Sequence, residues 1–206
     1  MTTTTGATFA DLRQAVDSSN TQIERGNQAL FFEGNYESNV LIADGYANVI
    51  LAGAGDDTAY GGVGSDLIVG RGGDDYLRGQ ADGDLLIGGT GNDTLEGGAG
   101  HDQLFGGLGD DTLTGGPGED DLFGDAGADH FIFDGGQDTI HAYEQGIDRI
   151  TLDASVWTGL TSVADVLFLY GSIDGTRATI DLGAGDILVI DGVQDYSTIE
   201  QDIALF

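Results

Sequence analysis

The chain has 206 residues, a formal net charge of -30 and a hydrophobic fraction of 40%. Its 36 acidic residues face six arginines and no lysine, which excludes a polyanionic partner, so neither nucleic acid nor an anionic membrane surface is expected. Without cysteine there is no disulfide framework, and no stretch approaches the roughly 18–20 apolar residues of a membrane span.

The length fits one domain with caps. The first residues, MTTTTGATFADL, lack the basic region and apolar core of a secretory signal peptide. Residues 8–17 (TFADLRQAVD) predict a short helix, with Thr8 and Asp11 as a capping pair and Phe9, Leu12 and Val16 on one face. Residues 1–38 are expected to form an N-terminal cap, which a repeat stack needs to cover its open end.

A nonapeptide frame then begins. GGLGDDTLT (106–114) and GGPGEDDLF (115–123) share it: glycines at slots one, two and four, aspartate at slot six, an apolar residue at slot eight. Slot six is Asp57, Asp66, Asp75, Asp84, Asp93, Asp102, Asp111, Asp120, Asp129 and Asp138, without an error in spacing. Slot eight is Ala59, Ile68, Leu77, Leu86, Leu95, Leu104, Leu113, Leu122, Phe131 and Ile140. Upstream, ESNVLI and YANVIL keep the phase with Asn39/Leu41 and Asn48/Ile50, and read as lead-in turns with weakened metal chemistry.

Slots six to nine predict a short strand, with six and eight inward and seven and nine outward. Slots one to five predict a tight turn, where glycine allows positive φ and close approach. Two nonapeptides complete a coil, coils stack, and each aspartate faces its copy one coil away. Stacked carboxylates need a cation between them. Turn carbonyls come from Gly62, Gly64, Gly89, Gly91, Gly98, Gly100, Gly107, Gly109, Gly116 and Gly118. Together with the aspartates they make an all-oxygen cage that suits Ca²⁺ rather than Mg²⁺ or Zn²⁺. Pairing each repeat with the next but one gives up to about eight sites from ten repeats, four per side.

The frame GGxGxDxUx resembles the repeats-in-toxin (RTX) calcium-binding nonapeptide family. The resemblance implies an all-β, right-handed parallel β-roll over residues 39–141, folded by calcium, in a protein exported by type I secretion machinery. Some repeats depart from the frame. GRGGDDYLR (70–78) has Arg71 at slot two, GQADGDLLI (79–87) has Gln80 and Asp82 at slots two and four, and the last repeat begins Phe133-Asp134. Sites using those turns are expected to be distorted or weaker.

Residues 142–206 are expected to form the C-terminal cap. Segment 136–155 resembles the closing segment of many RTX rolls, with Tyr143, Asp138 and Asp148 as its aromatic and acidic members. DVLFLYG, TRATIDLG and DILVIDG predict three strands in a small sheet sealing that end. The last residues, QDIALF, resemble the uncleaved type I export signal; a last core strand is the plainer alternative. Together these point to an extracellular protein.

Enzymatic motifs are missing. HExxH and GxSxG do not occur, Ser65 lies in a turn, and His101, His130 and His141 fall at slots five, seven and nine, outward or in turns. No catalytic activity is expected. An ice-binding Thr/Asn ladder fails because only Thr90/Asn92 fits it. One outer sheet face is mostly polar, with Tyr60, Tyr76 and Arg78. The other carries an apolar stripe of Leu67, Val69, Leu85, Ile87, Phe105 and Phe123, which marks a covered or interacting surface. The expected role is a secreted calcium-binding structural or binding module, with self-association through the stripe as one use. The alternative is a glycan-binding accessory module, using Tyr60, Tyr76 and Arg78 and resembling the repeat modules of alginate epimerases.

Overall fold

The computed structural model describes residues 13–15, 21–23, 29–153, 171–194 and 199–205. Twenty described strands, numbered in chain order, form two sheets. The first takes the odd strands β1 (Arg13–Ala15), β3 (Phe31–Glu33), β5 (Val49–Ala54), β7 (Leu67–Gly72), β9 (Leu85–Thr90), β11 (Gln103–Leu108), β13 (Asp121–Ala126) and β15 (Gln137–His141). It then continues through β19 (Asp186–Asp191), β18 (Arg177–Gly183) and β17 (Gly171–Asp174). The second takes the even strands β2 (Thr21–Ile23), β4 (Val40–Ile42), β6 (Thr58–Val63), β8 (Tyr76–Ala81), β10 (Thr94–Ala99), β12 (Thr112–Thr114), β14 (His130–Phe133) and β16 (Arg149–Leu152), and ends on β20 (Ile203–Leu205). Pairing is parallel throughout, except in the antiparallel β17-β18-β19 unit.

This is the all-β parallel roll that the repeat predicts. Register within the repeats is one coil of two nonapeptides: Leu95 pairs with Leu77 and Leu113, and Leu104 with Leu86 and Leu122. Every slot-eight residue is fully buried, from Ala59 to Ile140. The slot-eight side chains of the two sheets form the core, extended by Phe32 and Leu41 at one end and by Ile150, Leu188, Ile190 and Ile203 at the other.

Strand and turn divide differently from the sequence pattern. A typical strand, β10, runs from slot seven through slot three of the next repeat, and only slots four to six bend. The paired glycines stay in the ladder although φ is positive: Gly107 (φ 117) still pairs with Gly89 (φ 122). Stacked positions without side chains leave nothing to push the backbones apart. β12 stops at Thr114, ahead of Gly115, Gly116 and Pro117, where proline has no N–H to offer a neighbour.

The ends also differ. Arg13–Ala15, inside the segment predicted as helix, is a strand paired with β3; the rest of 8–17 lies outside the described residues. In so short a segment an extended edge offers more hydrogen bonds than one or two helical turns supply. At the other end, β18 and β19 match two of the three predicted strands, while residues 165–170 lie outside the description. They do not form a separate sheet, because β19 pairs in parallel with β15. The sheets therefore run without a break across residues 38/39 and 141/142. The final strand, β20, pairs with β16 and buries Ile203.

The outward slots are half-buried and point as the alternation predicts. On the first sheet the apolar stripe gains Val49 and Leu51 and ends in a stack: the rings of Phe105 and Phe123 lie 4.5 Å apart, and those of Phe123 and His141 4.3 Å. Because the core is one side chain thick on each side, it has little room to relax. Leu104→Ala should cost about 2–5 kcal/mol of the calcium-loaded stability, read from denaturant melts. A cost under about 1 kcal/mol would contradict a close-packed single column.

Candidate metal centre

The turns lie along two edges. Slots four to six of repeats starting at 52, 70, 88, 106 and 124 carry the chain from the first sheet to the second; those of repeats at 61, 79, 97, 115 and 133 carry it back. Slot six is buried at every repeat, with Asp57 to Asp138 at most 4% exposed. All ten predicted aspartates thus stand in two rows.

The rows are stitched by one repeated hydrogen bond. From Asp57 to Asp111 the backbone N–H of each aspartate donates to Oδ1 of the aspartate one coil later. Asp57 donates to Asp75 at 2.8 Å, Asp75 to Asp93 at 2.8 Å, Asp93 to Asp111 at 2.7 Å and Asp111 to Asp129 at 2.9 Å. On the other edge Asp66 donates to Asp84 at 2.7 Å, Asp84 to Asp102 at 2.7 Å and Asp102 to Asp120 at 2.8 Å. The lead-in turns feed the same rows, through Asn39 to Asp57 at 2.7 Å and Asn48 to Asp66 at 2.6 Å. At the far end Asp129 donates to Asp148 at 3.0 Å. Asp148 Oδ2 accepts from the Glu144 N–H, and the Tyr143 hydroxyl donates to the Asp148 carbonyl, so Tyr143 and Asp148 of the predicted closing trio lock the end of one row, while Asp138 ends the other.

Oδ2 tells the other half. In Asp57, Asp66, Asp75, Asp84, Asp93, Asp102, Asp111 and Asp120 it is buried and accepts no hydrogen bond, and neither oxygen of Asp138 makes one of good geometry. A buried carboxylate oxygen without a partner carries its full desolvation cost. Burial accordingly pushes these carboxyls up, to about 6 at Asp57, Asp66, Asp93, Asp111, Asp120 and Asp129. Asp75 and Asp84, each between two like charges of its own row, reach about 7. Asp138 reaches about 9, by burial first and the Asp120 charge second.

From Asp66 to Asp120 each orphaned oxygen lines a cradle that only glycine leaves open, whereas slot one is Ala52 beside Asp57 and Phe133 beside Asp138. A Cβ on Gly70 would lie 2.1 Å from Asp75 Oδ2 and 2.7 Å from the Gly88 carbonyl; one on Gly79 would lie 2.1 Å from Asp84 Oδ2 and 2.7 Å from the Gly97 carbonyl. These slot-one glycines are absent from the sequence-derived ligand set. Their tie to the site is a close approach, which the sequence shows only as a conserved frame position within the repeat. The predicted turn glycines sit as follows. Gly62, Gly64, Gly89, Gly91, Gly98, Gly107, Gly109 and Gly116 have positive φ. Gly100 and Gly118 do not, but a Cβ there would strike the Asp82 and Gly100 carbonyls.

The donor set fits a hard cation. Among the described residues no three His, Cys, Asp or Glu side chains converge on one point, so a cation would draw most of its ligands from backbone carbonyls. That is calcium chemistry and lacks the nitrogen and sulfur donors of zinc. The lead-in Asn39 and Asn48 are already satisfied: their Oδ1 atoms accept from Asn35 and Leu30. The departing turns keep the fold under strain, with positive φ at Arg71, Gln80, Asp82 and Asp125. None of the histidines joins the rows. His101 is exposed, His130 lies between Thr151 and Arg149, and His141 holds Asp121 at 2.7 Å.

A family model for the RTX calcium-binding nonapeptide repeat (4 copies) matches residues 33–68, 42–77, 52–86, 78–113 and 105–140. No curated protein matches. Among solved structures, the AlgE6R3 subunit from the Azotobacter vinelandii mannuronan C5-epimerase is 31% identical with a TM-score of 0.48, the match covering 61% of this chain and 80% of that one. The extracellular lipase LipA from Serratia marcescens is 17% identical with a TM-score of 0.44, covering 94% of this chain; this chain spans 42% of the lipase.

The pKa shifts set a pH dependence. The folded-state values of Asp75 and Asp84, about 7, lie above the ordinary carboxylate value of 3.8. Without calcium the folded roll therefore binds protons that the unfolded chain releases. The stability these groups contribute is fully present in acid and is lost as pH rises through about 6 to 7. Calcium-free protein should gain β structure as pH falls from 8 to 5, followed by circular dichroism in chelator. Loss of structure over that range would contradict the buried, partnerless carboxylates.

Proposed function

Because this chain belongs to the RTX calcium-binding nonapeptide repeat family, we propose that it is a secreted module whose two aspartate rows bind calcium and thereby assemble the roll outside the cell, where it serves a structural or binding role. The observation that carries this reading is the row of orphaned Oδ2 atoms. Eight repeats in succession, Asp57 through Asp120, each bury one carboxylate oxygen without a partner. Each is the earlier member of one of the eight stacked pairs, from 57/75 to 120/138, that the repeat count provides. A calcium ion between the coils supplies what the protein withholds at each: a positive charge at the bare oxygen.

The pairs draw on the aspartates and on the turn carbonyls of Gly62, Gly64, Gly89, Gly91, Gly98, Gly100, Gly107, Gly109, Gly116 and Gly118. Bound calcium supplies charge neutralisation and a cross-link between coils. The chain's own part is to hold Oδ1 on the neighbouring amide, which aims Oδ2 at the site. Export suits such a chain. At low intracellular calcium the carboxylates repel and the chain stays unfolded for passage; extracellular modules bind at roughly 10⁻⁴–10⁻³ M, and ligand binding to the native state then drives folding by mass action. No described helix is long and apolar enough to cross a membrane.

The glycan reading is the weaker one. Tyr60 and Tyr76 meet edge to face at 6.1 Å rather than side by side as a platform, and Arg78 is engaged by Glu96 at 3.3 Å. For self-association, the apolar face of the first sheet is the surface to test, by light scattering with calcium.

Two measurements test the calcium reading. Circular dichroism should show a disordered chain in chelator and β structure at about 5 mM calcium, above the affinity range of such modules; a full β spectrum in chelator at pH 7.5 would refute calcium-driven folding. Within the roll, Asp102 stands between Asp84 and Asp120, whereas Asp57 has one aspartate neighbour in its row. Asp102→Ala should raise the calcium midpoint more than Asp57→Ala, and equal shifts would count against ions shared between coils.

A further inference from the structure

The two edges are not built alike. On the first edge a second ladder runs outside the aspartate row, at slot five. The N–H of Asp74 donates to Asp56 Oδ1 at 3.0 Å, that of Asn92 to Asp74 Oδ1 at 2.7 Å, that of Asp110 to Asn92 Oδ1 at 2.8 Å, and that of Ala128 to Asp110 Oδ1 at 2.9 Å. This ladder points opposite to the inner one. At slot six the side chain reaches back to the preceding coil; at slot five it reaches forward to the next. Each first-edge turn from 73–75 to 109–111 is gripped by both of its neighbours, at two consecutive peptides.

The second edge has only the inner grip. Its slot-five residues are Ser65, Gly83, His101, Glu119 and Gln137, and among the described residues none of their side chains accepts the equivalent N–H. Two outer contacts stand in the ladder's place, the Gly64 N–H donating to Asp82 Oδ2 at 3.0 Å and an exposed His101–Glu119 pair at 3.9 Å that grips no peptide. Strained non-glycine residues fall on both edges, Arg71 and Asp125 on the first and Gln80 and Asp82 on the second, but the shortened β12 before Pro117 belongs to the second alone. The slot-four glycines of both edges are fixed by the carbonyl of the coil before, 2.1 Å from a Cβ on Gly91 and 2.1 Å from one on Gly100; on the first edge the ladder oxygen lies beside it, Asp74 Oδ1 at 3.0 Å from a Cβ on Gly91.

We propose that the row Asp56–Asp74–Asn92–Asp110 is a positioning device that divides the calcium sites into two classes, the first edge holding its ions more tightly and releasing them last. The inference rests on the calcium reading above. Its physical basis is preorganisation: a turn whose peptides are already fixed loses less freedom when its carbonyls close on an ion. The row is exposed and is not itself an ion site. Asn92 shows that an amide oxygen serves as acceptor in the same ladder as the carboxylates.

The test is calcium release from the full-length, calcium-loaded protein after rapid mixing with excess chelator and a calcium-sensitive dye. The wild type should release in two phases of similar amplitude. Replacing Asp56, Asp74 and Asp110 together by Ala should speed the slow phase about fivefold, the worth of roughly one ordinary hydrogen bond per site, and leave the fast phase unchanged. Replacing the same three by Asn should leave both phases within about twofold, since one kept hydrogen bond is the whole of the proposed effect. Ser65→Ala, His101→Ala and Glu119→Ala together should change neither phase. A triple Ala variant that speeds both phases alike has lost only global stability, and that result overturns the proposal. So does a single wild-type phase, or a triple Asn variant that behaves like triple Ala. A wild type that binds no calcium at all would instead defeat the calcium reading.

Discussion

One constraint governs the molecule: ten aspartates must be buried in two files, each facing its own kind. In all but Asp138 the backbone satisfies half of the carboxylate by offering an N–H to Oδ1 from the coil before. Among the described residues nothing satisfies Oδ2 of any of them except Asp129. The glycine at slot one follows from this, because a Cβ there would occupy the space into which the bare oxygen points. So does the raised proton affinity of the rows. The fold is thus built around sites that its own side chains leave incomplete.

The core explains why the missing part cannot be omitted. Each nonapeptide between the first and the last contributes one fully buried apolar side chain, at slot eight, and its remaining inward positions are aspartate and glycine. That is a thin return of apolar burial for a chain rich in glycine, which loses more conformational freedom on ordering than any other residue. Larger apolar groups gather only at the ends, around Phe32 and around Phe131, Phe133, Tyr143, Ile150 and Leu152. The middle of the roll depends on whatever neutralises its carboxylates. Calcium or, in acid, protons can do this, and the two compete for the same oxygens.

Much of this was legible in the sequence, because a period of nine with an inward aspartate and an inward leucine leaves few backbones that satisfy both. The phase of the inward slots, the leucine column and the aspartate rows follow from spacing, and the closing role of Tyr143 and Asp148 from the resemblance of that segment to the end of RTX rolls. What was not legible depends on partners distant in sequence. The Arg13–Ala15 segment has a helical pattern, yet its neighbour β3 offers an open edge. The β18–β19 hairpin has the pattern of an independent sheet, yet β15 is left exposed when the repeats end and takes it as a continuation. The outer ladder was hidden for another reason. Slot five holds a mixture of residues when read along the chain, and only sorting the repeats by edge separates Asp56, Asp74, Asn92 and Asp110 from Ser65, Gly83, His101 and Glu119.

The central claim is that the bare oxygens of the stacked aspartates are calcium ligands. A crystal structure of the calcium-loaded protein, with anomalous difference maps collected at a long wavelength, tests it most directly. The account predicts two files of peaks, one along each edge, each peak about 2.3–2.6 Å from an aspartate Oδ2 and lying between successive coils. Peaks confined to the outer acidic surface, with Oδ2 of Asp75, Asp84, Asp93 and Asp102 bonded to water or to the backbone instead, would contradict it.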